Sequence, residues 1–388
     1  MGRHYVRSQN GQKNVSVVHS STTNKMIRQK KSETDMDIGY CTSGSETNLD
    51  DSVFEKGDGD QVNKKLAPVD EVGDMPDEDF IKASAMEAKD LEKKTYKWEI
   101  VWRNVILAIV YHIGAIIGLY LLLFKIKWST FWWAIGLGTC SALGITAGAH
   151  RLWAHKTYKA KWPLRLMLLV FNTIAFQNSV IEWVRDHRVH HKFSETDADP
   201  HNAKRGFFFA HIGWLLIRKH NDVKTIGKKV SVQDLWDDPM LAFQNRHYVK
   251  LIFLFCAFIP TIVPVIFFKE NIIYSFLTAG VLRYVLSLNY TWCINSVAHL
   301  FGNRPYDKSI YPTQNIWASI VTLGEGWHNF HHKFPRDYRA SEYPGYWFNP
   351  TIYFIDFFAW IGWAYDLKTT SPEAISRTKL RHGDGTVW

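Results

Sequence analysis

The sequence predicts an all-α integral membrane protein: four transmembrane helices in two hairpins, capped by a cytosolic helical domain that holds a di-metal site. Three observations predict it. Four apolar runs reach the length a bilayer-crossing helix needs, about 20 residues. The segment at 150–250, between the second and third runs, is too long and polar to be a turn. Histidines cluster just past the ends of two of the runs.

Residues 1–95 are rich in Ser, Thr, Asp, Glu and Lys, with acidic clusters such as Asp77-Glu78-Asp79. Such a segment buries too little apolar surface to offset its ordering entropy, so it is expected to be a disordered cytosolic tail. A short helix is expected to start near Asp77, where helix formers are dense. The N-terminus has no apolar core of the kind a cleaved signal peptide carries. Insertion therefore relies on the first span.

The runs cover residues 104–124, 131–149, 251–268 and 272–298, the last broken only by Arg283. The connections at 125–130 and 269–271 are too short to hold a domain, so runs one and two, and runs three and four, read as hairpins. Four spans put both termini on one side. The segments at 150–250 and 299–366 share that side and carry most of the Lys and Arg, which makes it cytosolic. Residues 96–366 thus form the membrane domain, and 367–388 a C-terminal cytosolic tail. Two further apolar stretches, at 164–181 and 352–365, carry polar interruptions and suit helices lying at the membrane interface.

Mean hydropathy is −0.18, an average over a polar N-terminal part and an aromatic-rich remainder. The net charge of +9 fits nucleic acid, a membrane surface or an anionic substrate. The apolar runs favour the last two and argue against nucleic acid. Cys41, Cys140, Cys256 and Cys293 form no C-x-x-C pair, which argues against a thiolate zinc site or redox dithiol.

Of 17 histidines, eight fall in three clusters: His150 with His155, His187 with His190 and His191, and His328 with His331 and His332. A ninth, His299, closes the fourth run. Residues i, i+3 and i+4 share a helix face, so each triplet is expected to supply a metal from one side. His150 and His155 lie about 140° apart on an ideal α-helix, so they converge only if the helix bends or ends between them. Nine imidazoles exceed what one tetrahedral zinc needs and suit two metals with four or five nitrogens each. Imidazole binds zinc, copper, iron and nickel alike. Breaking an unactivated C–H bond beside a membrane needs activated dioxygen, which iron supplies. Asn295, one helical turn before His299, is a candidate holder of a metal-bound water. His112, His201, His211, His220 and His247 read as ordinary hydrogen-bonded histidines.

At this point a resemblance becomes specific. HRLWAH, HRVHH and HNFHH resemble the three histidine boxes of membrane acyl-CoA desaturases. The stretches GITAGAHRLWAH, WVRDHRVHHKFSETDADPH, NSVAHLFGNRPYD and GEGWHNFHHKFPRDY resemble those of animal and insect stearoyl-CoA (Δ9-type) desaturases, in order, from about Trp98 to Asp366. The resemblance implies di-iron ligands at His150, His155, His187, His190, His191, His299, His328, His331 and His332, with a water held by Asn295. It implies acyl-CoA contacts at Asn104, Arg185, Asp186, Arg218 and Lys219, and a tunnel wall including Gln177, Trp183 and Trp292. Cations at 218 and 219 would neutralise the phosphates of CoA.

The reaction implied is O2-dependent insertion of a cis double bond into palmitoyl- or stearoyl-CoA, most simply at Δ9. The localisation implied is the endoplasmic reticulum membrane. Too few residues follow Asp366 for a fused haem domain, so electrons are expected from separate cytochrome b5 and its NADH-dependent reductase. Insect relatives of this kind can act at Δ11, and histidine boxes also occur in membrane hydroxylases. A metal transporter would instead place its histidines near the bilayer midplane, inside broken helices.

Overall fold

The computed structural model describes residues 97–342 and 349–387. The expected tail at 1–95 and the helix near Asp77 lie outside the described residues. Among the described residues, four helices are long and apolar enough to cross a membrane: α1 (Trp102–Phe124), α2 (Trp128–Ala154), α5 (Tyr248–Phe268) and α6 (Ile272–Leu300). Between α2 and α5 come α3 (Trp162–Ala175), α4 (Val180–Phe193) and several short helical turns. After α6 come α7 (Ile316–Val321), α8 (His328–Lys333), α9 (Pro350–Trp360) and α10 (Pro372–His382). Lys159–Ala160 and Ala364–Tyr365 pair as a short antiparallel ribbon.

α1 and α2 follow one another across the short turn at 125–127, as the sequence predicts. α1 lies along α6, because two glycines one turn apart remove the side chains that would hold the backbones off. A Cβ at Gly118 would stand 2.3 Å from the Leu277 carbonyl, and one at Gly114 would stand 3.1 Å from Val281 Cγ1. Ala115 joins Ile252, Cys256, Val281 and Val285 in one buried cluster of α1, α5 and α6. The two connecting turns are tied together at the far end. Glu270 accepts from Lys127 N and Thr130 Oγ1, both at 2.8 Å, and Asn271 caps α6 by accepting from Ile273 N at 2.9 Å.

The stretch at 164–181 is helical as expected, with one side outward, Leu166 being 43% exposed. It is α3 plus the turn into α4, and it packs into the protein, with Leu164, Leu168 and Asn172 buried. The reason is close approach at Gly144, where a Cβ would meet Asn172 N at 2.2 Å. Asn172 Oδ1 accepts from Gln244 Nε2 at 3.0 Å inside the protein. The chain turns by 82° between α3 and α4, through left-handed Phe176 and Asn178. Ser179 then caps α4, accepting from Glu182 N at 3.3 Å in the S-x-x-E pattern of a capping box.

An arginine inside a span is costly unless its donors are met. Arg283 is buried, and its five donors find Ala279 O, Ser141 Oγ, Ile174 O, Cys256 O and Cys256 Sγ at 2.8–3.3 Å. It therefore binds α2, α3 and α5 to α6. The C-terminal segment is also docked. Ile375 of α10 packs on Tyr306 and Phe330, the latter within α8.

Candidate metal centre

The histidines at 150 and 155 converge by a route the sequence does not display. From Gly144 to Ala154, α2 winds as a π-helix, in which residues five apart are bonded, and His155 N donates to His150 O at 3.1 Å. The two rings stand 4.9 Å apart. The helix ends between them as expected, at Ala154, with His155 as its C-cap, and its last turns are π-wound. α4 brings His187, His190 and His191, and the end of α6 brings His299. α8 brings the last three. It is a short helix pinned from outside: Thr313 O accepts from His328 N and Asn329 N, while Asn329 Oδ1 accepts from Tyr306 N at 2.8 Å.

The ring nitrogens meet in two groups. His150, His155, His187, His191 and His331 form one, and His190, His299, His328 and His332 the other, with ligand atoms within 4.8 Å of one another in each. The expectation that each triplet serves one metal from one side is therefore corrected. In α4 the i, i+4 pair His187 and His191 goes to the first group, and His190 to the second. In α8 the pair His328 and His332 goes to the second group, and His331 to the first. Each triplet bridges both groups, because i+3 lies on the opposite flank of the shared face.

The donor set fits two transition-metal ions. Neighbouring Nε2 atoms stand 2.7 Å apart for His155 and His187, 2.9 Å for His150 and His331, and 3.0 Å for His299 and His328. Two nitrogens bound at right angles, each about 2.1 Å from one ion, would stand about 3 Å apart. Burial, reinforced by neighbouring histidines, holds His155, His187, His191, His328, His331 and His332 well below the ordinary imidazole pKa. They are neutral near pH 7, the form that ligates.

Three carboxylates, which the sequence reading passed over, face the outer nitrogens. His150 Nδ1 lies 2.8 Å from Glu325, His190 Nδ1 3.0 Å from Asp199, and His299 Nδ1 2.7 Å from Glu195. Each fixes the tautomer that leaves Nε2 free to bind. Burial acts against charge on His190, but the Asp199 carboxylate outweighs it and raises the pKa. Burial also acts to raise Glu325, yet Arg151 and His150 hold it down at about 2. The signal was present, since all three carboxylates lie within the stretches flanking the boxes. His201, read as an ordinary histidine, sits 3.5 Å from Asp199 behind His190.

The remaining candidates fall in two places. An apolar cavity of about 280 Å³ reaches from His150, His187, His190 and His328 down to Leu122 and Ala134 within the spans. Trp183, stacked on His187 at 4.8 Å, and Asn295 line it. Gln177 and Trp292 are not among its lining residues. Gln177 donates to Thr291 Oγ1 at 3.0 Å, and Trp292 is packed between His112 and His211. Outside, Asp186 pairs with Arg185 and with Lys219, Arg218 pairs with Glu99, and Asn104 donates to Leu215 O at 2.8 Å. His112 donates to Ala108 O, His211 meets Ser296 and Asn289, His220 caps a short helix, and His247 meets the Phe243 ring at a tilt.

Residues 126–349 match the fatty acid desaturase family model. The chain is 51% identical over 321 residues to an acyl-CoA Delta-9 desaturase of Acheta domesticus, covering 82% of this chain and 89% of the other. It is 53% identical over 293 residues to an acyl-CoA Delta(11) desaturase of Spodoptera littoralis, covering 75% and 86%. It is 49% identical over 335 residues to an acyl-CoA Delta12-desaturase of Acheta domesticus, covering 84% and 93%. With a family model over residues 126–349 and relatives matched to this extent, the chain belongs to the fatty acid desaturase family.

Proposed function

We propose that this chain is a multi-pass membrane acyl-CoA desaturase whose nine histidines bind two irons, and that it forms a cis double bond at carbons 9 and 10 of palmitoyl- or stearoyl-CoA. The observation that carries the reading is the meeting of two histidine groups on the wall of one apolar cavity. Bound iron would activate dioxygen for attack on an unactivated C–H bond. The protein's own part is positional. Asn295 would hold a water beside the second group. Lys219, Arg185 and Arg218 would meet the CoA phosphates at the mouth, with Asp186 and Asn104 orienting that face. An anchored head and a cavity of fixed length make a ruler, so the carbons beneath the histidines are set by geometry. Trp183 would press the chain where the cavity passes His187. Gln177, through Thr291, and Trp292 would support the wall from behind.

Electrons are expected from cytochrome b5 and its NADH-dependent reductase. An acidic donor suits a chain of net charge +9. The site then faces the cytosol, both termini lie there, and the membrane is the endoplasmic reticulum. Expression in yeast lacking its own Δ9 enzyme tests the reading. Growth without oleate, with the double bond located at Δ9 by mass spectrometry, is expected. A Δ11 or Δ12 product would overturn the position, and a hydroxylated product would overturn desaturation.

A further inference from the structure

The cavity is walled by matching stripes on two spans. On α2 its lining positions recur every three or four residues from Ala134 to His150, and on α6 from Thr278 to Asn295. At 1.5 Å per residue each stripe is about 24 Å long. The inner parts of the wall are hidden, with Ala134 5%, Ile145 6% and Leu282 4% exposed. One edge of each stripe is different. Ile135 of α2 lines the cavity and is 47% exposed, while Leu286 and Tyr290 of α6 line it and are 40% and 41% exposed. Thr139, one turn along from Ile135, is exposed too. Residues that face a chamber and the outer surface at once mark a seam where the chamber is not closed.

What lies outside the seam follows from where it is. All four residues sit within helices that cross the membrane, so the outer medium there is hydrocarbon. The seam carries no free charge, since the nearby Arg283 spends all five donors on Ser141, Ile174, Cys256 and Ala279. That cross-link also keeps α2 and α6 from separating, so the opening is a slot and not a missing wall.

We propose that the chamber opens sideways into the bilayer through a slot edged by Ile135, Thr139, Leu286 and Tyr290, and that an acyl chain of the surrounding leaflet and the acyl tail of the substrate occupy it by turns. This rests on the reading of the cavity as the acyl chamber. The physical advantage is direct. Each methylene moved from lipid to water costs about 0.8 kcal/mol. A tail that slides sideways stays in apolar surroundings throughout, whereas one threaded end-first from the cytosolic mouth does not.

The test uses the unmodified protein in vesicles and two photoreactive probes: phosphatidylcholine with a diazirine in its acyl chain, and stearoyl-CoA with a diazirine near its methyl end. Labelled residues are read by mass spectrometry. The phospholipid probe is expected to label Ile116, a lipid-facing residue of α1 that is 69% exposed, and also the slot residues. The stearoyl-CoA probe is expected to label buried Ile145 and the slot residues. Excess unlabelled stearoyl-CoA should abolish phospholipid labelling at the slot and leave it intact at Ile116. Phospholipid labelling of the slot that stearoyl-CoA does not change, with stearoyl-CoA labelling confined to Ile145, would overturn the slot while leaving the acyl chamber standing. Absence of stearoyl-CoA labelling at Ile145 and every other lining residue would overturn the chamber reading itself.

Discussion

His331→Ala is expected to lower desaturation by on the order of 10²-fold or more, while His247→Ala is expected to leave it unchanged. His331 is buried, and its Nε2 stands 2.9 Å from that of His150 and 3.0 Å from that of His191, at the middle of the five-histidine group. It also arrives from α8, whose other two histidines belong to the second group. Its loss therefore unfastens the link between the groups as well as removing a donor. Removing a mere outer hydrogen-bond partner of a ligand costs roughly 10–100-fold, so loss of the nitrogen itself should cost on the order of 10²-fold or more in turnover. His247 belongs to neither histidine group and meets the Phe243 ring, tilted, at 4.6 Å. Turnover in membranes, normalised to inserted protein, checks the pair. Turnover near that of the parent in His331→Ala would remove the centre from the proposed chemistry.

Asp199→Asn and Glu195→Gln should each weaken metal retention by roughly 10–100-fold with insertion intact. Both replacements keep shape and remove charge. Asp199 accepts from His190 and from the backbone N–H groups of Glu195 and His201, at 3.0–3.1 Å, so it ties the loop after α4 to a ligand. Glu195 does the same for His299 of α6. Glu325→Ala should be worse, because it also strands buried Arg151, whose Nη2 it accepts at 2.8 Å. Uncompensated buried charge costs about 3–5 kcal/mol, so that variant loses stability as well as metal. Glu325→Gln separates the two effects. Metal retention during dialysis against a chelator, measured beside thermal stability, checks all four. Unchanged retention in Asp199→Asn and Glu195→Gln would show that the carboxylates serve packing alone.

Much of this was legible in the residues. Run length revealed the four spans, because backbone satisfaction in lipid leaves helices few alternatives. The spacing of three and four revealed that His187, His190 and His191 share a face. It could not reveal which flank each takes, since that depends on where α8 docks. The π-winding at Gly144–Ala154 was hidden for a similar reason: it accompanies the approach of α3 at Gly144, a tertiary event. The packing of α1 on α6 had a visible signal in Gly114-x-x-x-Gly118, a small-residue pattern for close helix contact. The carboxylates were visible too, but nothing local distinguishes Glu195 and Asp199 from surface acids beside a box.

The most direct measurement is an anaerobic titration of metal-free protein with ferrous iron, following bound iron per chain. Two histidine groups of five and four predict saturation at two equivalents, with one of the two bound more weakly in His331→Ala. Saturation of the parent protein at a single equivalent would contradict the two-metal centre on which the account rests.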